Sequence, residues 1–166
     1  MSTNLQSIKG RYLYMFKAKN LGIGIPAGWM SVFAQLCENI DEILGPDKRG
    51  FHFVQCKQKF GSARWYCKLN KVKQRTPVDI LDSKGVVMSL RVPDKHKTPD
   101  MLGEKIAALV HEAEARTMQL CIVCGEPSRL DTFDGYMLQL CAVHKKMRRK
   151  GTLPNFWEED DEFDPP

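Results

Sequence analysis

Two stretches of the chain carry apolar residues at three-and-four spacing, the mark of a helix that buries one side. The first covers residues 27–44, where Trp29, Val32, Phe33, Leu36, Ile40, Ile43 and Leu44 make one stripe and Gly45-Pro46 stops the helix. The second covers 99–119, with Thr98 as N-cap, Pro99 at the first helical position and Met101, Leu102, Ile106, Leu109, Val110, Ala113 and Met118 on the inner side. Elsewhere the pattern predicts strands, over 11–16, 51–59 and 63–70, the last two joined at Phe60-Gly61-Ser62 into a hairpin. Alternation on 63–70 sends Trp65, Cys67 and Leu69 inward and Arg64, Tyr66 and Lys68 outward. Across from them, Val54 and Cys56 are expected inside, and Phe53, Lys57 and Lys59 outside. Residues 21–26 read as a turn-like helix entrance, because Gly22 and Gly24 lack the third glycine of a dinucleotide loop. A second hairpin is expected over 76–92, with strands 78–81 and 86–92 flanking Asp82-Ser83-Lys84-Gly85, and a linker follows over 93–98.

These elements predict an α+β fold in which two helices pack on a small antiparallel sheet over residues 1–119. A zinc-binding module over 120–151 and a loose acidic tail over 152–166 complete the expected organisation. With 166 residues, 43% of them apolar, the chain can bury a real core, and disorder throughout is excluded. No apolar run approaches the roughly 20 residues of a membrane-spanning helix. The start, MSTNLQSIKG, has no signal-peptide apolar stretch, so a soluble cytoplasmic protein with no membrane partner is expected.

Charge is separated along the chain. Six acids (Glu158, Glu159, Asp160, Asp161, Glu162 and Asp164) follow the last basic residue, which leaves 14 acids against all 25 Lys and Arg in residues 1–151, a balance of +11. Residues 48–78 hold nine basic residues and no acid: Lys48, Arg49, Lys57, Lys59, Arg64, Lys68, Lys71, Lys73 and Arg75. A second basic group is Lys145, Lys146, Arg148, Arg149 and Lys150. A cationic strand side with Tyr66 and Phe53 between the charges suits nucleic acid, with Lys57, Lys59, Arg64 and Lys68 neutralising phosphates and Lys145, Lys146, Arg148 and Arg149 adding to them. The competing reading is a solvated strand side, with helix-end cations that complement the helix dipole. The tail WEEDDEFD likewise reads as a solubilising end, or as an imitation of nucleic acid that docks on a basic surface.

The sharpest chemical signal is Cys121-Ile-Val-Cys124-Gly, followed after sixteen residues by Cys141-Ala-Val-His144. Two pairs at this spacing are what a tetrahedral ion requires, since each short loop brings two ligands to one side of the metal. A hairpin from 129–131 to 136–140 across Asp134-Gly135 returns the second pair to the first, and a helix beginning at Cys141 places His144 on the same side, ending near Gly151 and Pro154. Knuckle, hairpin and helix in that order describe a treble-clef-like module with Cys121, Cys124, Cys141 and His144 as ligands to structural Zn2+. Four protein ligands leave no open position for water, which disfavours zinc hydrolysis. Cys37, Cys56 and Cys67 have no such pairing and read as buried thiols. His111-Glu112 fails as a zinc-protease motif because Ala115 stands where the second His belongs, and His111 is expected to be partly buried on its helix.

Taken together, the Trp29-led helix with Leu36-Cys37, the run VQCKQKFGSARWY (54–66), and Cys121-x2-Cys124-Gly with Cys141-x2-His144 resemble small zinc-ribbon-like proteins encoded by bacteriophages and prophages. Such proteins typically read VQVKEKFGGLRFY in the hairpin. Here Ser62-Ala63-Arg64-Trp65 departs from that pattern, Gln58 replaces an acid, and 71–98 looks inserted. The resemblance implies a zinc-binding accessory protein of bacterial host cytoplasm and leaves its activity open. No catalytic constellation is visible, so a non-enzymatic protein that binds nucleic acid is expected. The alternative is an inhibitor, of anti-CRISPR or anti-restriction type, that binds and disables a host bacterial protein. A treble-clef nuclease ranks last, because the catalytic His and acid are missing from the final hairpin and helix.

Overall fold

The computed structural model describes residues 3–19, 21–70, 79–82, 85–89 and 100–158. The chain is α+β, as expected, but begins with a helix rather than a strand. Helix α1 (Leu5–Arg11) starts from a capping box in which the Asn4 side chain accepts from the Ser7 amide at 2.8 Å and the Ser7 hydroxyl accepts from the Asn4 amide. A short 3-10 turn (Leu13–Phe16) follows where a strand over 11–16 was predicted. Leu5, Ile8, Tyr12 and Met15, all buried, stand three, four and three residues apart, a helical spacing that outweighs the local apolar run RYLYMF.

Strand β1 (Gly22–Ile23) lies in the segment expected to be a turn. It pairs parallel to β2 (His52–Lys59), which in turn pairs antiparallel to β3 (Ser62–Lys68), so the sheet is mixed rather than purely antiparallel. Phe60 and Gly61, at φ 52° and 77°, close the hairpin as a two-residue turn whose twist matches that of the strands. The register slips between Phe53 and Gln55. That bulge reverses the expected placement of Phe53: its ring is fully buried, 5.3 Å from Phe33, and Val54 is only half-buried.

A 3-10 turn (Ala27–Trp29) leads into α2 (Met30–Leu44), which ends at Gly45 with φ 75°. Its predicted stripe is buried except for Ile43. Phe33 is the hub: its ring meets Trp65 at 5.1 Å and Phe16 at 6.3 Å, tying helix to sheet. Strands β4 (Asp79–Asp82) and β5 (Gly85–Ser89) pair antiparallel with Asp82 opposite Gly85, so these two residues belong to the strands and not to the turn. The rest of the predicted second hairpin, Lys71, Lys73, Arg75 and the linker over 93–98 lie outside the described residues.

Helix α3 (Met101–Thr117) is capped by Asp100, which accepts from the Gly103 amide at 3.1 Å, rather than by Thr98. Thr98 and Pro99 are outside the described residues. Ile106, Val110, Ala113 and Thr117 face the core, whereas Met101, Met118 and His111 are exposed, against expectation. The helix also protects the free edge of β3. Thr117 Oγ1 accepts from the Ala63 amide at 3.1 Å and Glu114 Oε1 from the Trp65 amide at 2.7 Å, so two outward N–H groups are not left as a template for another strand.

The C-terminal part consists of β6 (Arg129–Phe133), β7 (Tyr136–Leu140) and α4 (Ala142–Arg149). Cys121, Ile122 and Leu140 belong to the same buried cluster as Leu36, Phe53 and Trp65, so this part shares one core with the rest. The end expected to be loose from residue 152 is packed down through Glu158. Phe156 O accepts from the Ala27 amide at 2.7 Å, Trp157 bridges to Pro26 with its ring against Gly24, and Glu158 Oε2 accepts from the Leu5 amide at 2.7 Å. Residues 159–166 of the acidic tail lie outside the described residues. Among the described residues no helix is long and apolar enough to cross a membrane.

Candidate metal centre and basic face

Cys121, Cys124, Cys141 and His144 each offer a ligand atom, and these atoms lie within 4.8 Å of one another. Cys124 Sγ is 3.9 Å from Cys141 Sγ, and His144 Nδ1 is 3.2 Å from Cys141 Sγ and 3.5 Å from Cys121 Sγ. An ion with metal–sulfur bonds of about 2.3 Å and a metal–nitrogen bond of about 2.0 Å, arranged tetrahedrally, needs separations of about 3.5–3.8 Å. These three separations lie within about 0.3 Å of that range, so the cluster could close around a metal ion with three thiolates and one imidazole.

Local structure sets up this geometry. In the first loop the Gly125 amide donates to Cys121 O at 2.8 Å, and Gly125 takes φ 78°, folding Cys124 back beside Cys121. The Ile122 amide donates to Gln139 O at 2.9 Å, pinning the loop to β7. The β6–β7 hairpin closes at Asp134-Gly135, at φ 50° and 77°, as the sequence predicted, and delivers Cys141 to the N-cap of α4. The three-residue spacing then brings His144 back over the same helical turn.

The site is also held from the other side. Gly28 donates its amide to Ile122 O at 3.0 Å, and Trp29 Nε1 donates to Leu120 O at 3.0 Å. A side chain at Gly28 would have its Cβ 2.0 Å from Cys121 O, an approach only glycine allows. The start of α2 is thus the backing plate of the first ligand loop, a relation no spacing rule in the sequence could reveal. Burial pushes the Cys124 thiol up to about 11. Burial also acts to raise Cys141, but hydrogen bonds from the His144 backbone and ring, and from Cys121 and Cys124, outweigh it and bring Cys141 down to about 7. Binding of a metal by these thiols would release the protons they carry.

The basic residues fall into two groups with different fates. Asp131, only 3% exposed, accepts from Arg148 at 2.9 Å and from Arg149 at 2.8 and 2.9 Å, with Lys145 Nζ at 3.5 Å. Burial works against the Asp131 carboxylate, yet donation from Arg149 and Arg148 holds its pKa below the ordinary value. Arg148 also donates to the Phe133 and Tyr136 carbonyls, and the Arg149 guanidinium lies 4.1 Å from the Phe133 ring centre. These two arginines, expected on a binding surface, clasp α4 to its hairpin. Lys145 and Lys146 are exposed on the same helix.

On the β2–β3 hairpin the arrangement differs. Arg64 is the partner of Lys57, Tyr66 of Gln55 and Lys68 of His52, so these six residues share one side of the sheet, away from Trp65. Tyr66 is 49% exposed, with Lys57 Nζ 5.8 Å from its ring centre. At the turn Phe60 is 66% exposed under Lys59 Nζ at 5.1 Å. The predicted residues Lys57, Lys59, Arg64, Tyr66 and Lys68 thus lie together, whereas Lys145, Lys146, Arg148 and Arg149 sit on α4. Alternation along the strands assigns Phe60 no side, because it occupies a turn position. Cys37 and Cys56 are buried, which raises their thiols, and the half-buried Cys67 is pushed up to about 11 for the same reason. Comparisons with protein-family models, with curated proteins and with solved structures find no match.

Proposed function

We propose that this chain is a non-enzymatic binding protein, stapled by structural Zn2+ in a treble-clef-like arrangement, that binds nucleic acid through the solvent side of its β2–β3 hairpin. Three thiolates and one imidazole are a donor set that zinc favours, and full protein coordination gives the ion a structural task. The observation that carries the binding reading is the side formed by His52, Lys57, Arg64, Tyr66 and Lys68, with no acid anywhere in residues 52–68. A cationic patch of this kind neutralises phosphates and releases their counterions, so binding falls steeply with salt. The resemblance to phage-encoded proteins favours a bacterial cytoplasm as the place of action and leaves the activity open.

The test is a gel shift with a mixed-sequence DNA at rising salt. Binding at 50 mM salt that weakens steeply by 200 mM is expected, and the Lys57→Ala/Arg64→Ala double variant should reduce the salt slope by about 1.5. Absence of any shift at 50 mM salt would reject the reading. Stoichiometric recovery of one host protein from nuclease-treated bacterial lysate, with no shift, would favour an inhibitor instead. Elemental analysis of the purified chain should find one zinc per molecule.

A further inference from the structure

We infer that the hairpin side takes single-stranded rather than duplex nucleic acid, with an unstacked base on Tyr66 and a second on Phe60; this rests on the nucleic-acid reading above. Three observations carry it. The first is the exposure of the two rings. Tyr66 stands half out of the sheet among Lys57, Arg64 and Lys68, and Phe60 stands further out at the hairpin tip beside Lys59. An exposed aromatic ring among cations offers a stacking platform, but only to a base whose flat side is free, and in a duplex those sides are already covered by neighbouring bases.

The second is spacing. From Ser62 to Tyr66 the strand advances four steps, about 13 Å at the usual rise, so the hairpin tip lies a few nucleotides of extended strand from Tyr66. Lys57, Lys59 and Arg64 lie along that path, where the backbone phosphates would pass. The third is what α4 lacks. A basic helix that reads a groove must turn its arginines outward, yet Arg148 and Arg149 are bound to Asp131 and to the carbonyls of the β6–β7 hairpin. Lys145 and Lys146 stay exposed on α4, but without the two arginines that helix lacks the forked donors of groove reading, whereas Lys57, Arg64 and Lys68 stand together around Tyr66 on one strand side, which suits a single strand better than a groove.

Fluorescence anisotropy would compare a labelled 20-nucleotide unstructured DNA strand with the same sequence as a duplex, at one low salt concentration. The full-length protein should bind the single strand about tenfold more tightly. Tyr66→Ala should weaken single-strand binding about tenfold and leave duplex binding unchanged, with Phe60→Ala giving a smaller loss in the same direction. Tyr66→Phe should restore the affinity, since it keeps the ring. Because both residues are exposed, unchanged thermal melting would confirm that the variants fold. Equal affinity for strand and duplex, with Tyr66→Ala neutral, would overturn the single-strand inference and leave the nucleic-acid reading standing. Binding of neither probe would overturn both.

Discussion

The molecule contains two hairpins of similar design that use their positive charge in opposite ways. Both β2–β3 and β6–β7 turn through two residues ending in glycine, Phe60-Gly61 and Asp134-Gly135, each pair at positive φ. Both have arginine and lysine close by. At the second hairpin a single buried acid, Asp131, collects Arg148, Arg149 and Lys145, and the charge becomes internal structure. At the first, residues 52–68 hold no acid, so no carboxylate of the hairpin itself takes up the charge. Net charge says how much a surface could attract; the position of one carboxylate decides whether it does. The hairpins also touch. Gln58 Nε2 donates to Met137 O at 3.1 Å, and a Cβ at Gly61 would come within 2.5 Å of Leu130, so the β6–β7 hairpin supports the tip of the basic one.

The largest effect is expected at the metal site. Chelation, or Cys124→Ser, should lower the melting temperature by about 10 °C or more in differential scanning calorimetry, because the ligand loop forms part of the common core. An unchanged melt with no metal bound would mean that the ligand loop holds together without an ion.

Gly28→Ala should cost about 3 kcal/mol in chemical denaturation and weaken metal retention together, since the added methyl group meets the Cys121 carbonyl. Loss of stability with full metal retention would show that α2 supports the core but not the ligand loop.

Asp131→Asn should cost a similar amount, about 3 kcal/mol, because it leaves Arg148, 9% exposed, without its charge partner. The folded-state pKa of Asp131 is depressed, so its contribution is present above the unfolded value near 4 and is lost as pH falls through the folded value. The stability gap between wild type and variant, measured by urea denaturation, should therefore close below about pH 4. A gap constant down to pH 2 would mean that packing, not charge, holds α4.

The smallest effect on stability belongs to the first hairpin. Lys57→Ala/Arg64→Ala should change the unfolding free energy by less than about 0.5 kcal/mol while weakening nucleic-acid binding, which is the behaviour of a surface kept for a partner. A large stability loss would place these cations with those of the second hairpin.

The elements most legible beforehand were those fixed by local rules. The stripe from Trp29 to Leu44 apart from Ile43, the turn at Phe60-Gly61-Ser62 apart from Ser62, which belongs to β3, the turn at Asp134-Gly135, and the clustering of Cys121, Cys124, Cys141 and His144 follow from periodicity, turn chemistry or ligand spacing and are found where expected. Residues 11–16 form no strand, because the spacing of Leu5, Ile8, Tyr12 and Met15 outweighs five apolar or aromatic residues in a row. Phe53 was misplaced because one extra residue in a bulge inverts alternation beyond it, and a bulge leaves no composition signal.

What the amino-acid order determined by itself was therefore the periodic elements, the donor set and the excess of positive charge, because each depends on neighbours within a few residues. Only the folded chain decided that Gly28 backs the Cys121 loop, that Glu114 and Thr117 cover the edge of β3, and that Asp131 takes the arginines of α4 out of circulation. These last relations join residues 17 to 93 positions apart or depend on burial, and such contacts arise from packing, to which local spacing is blind.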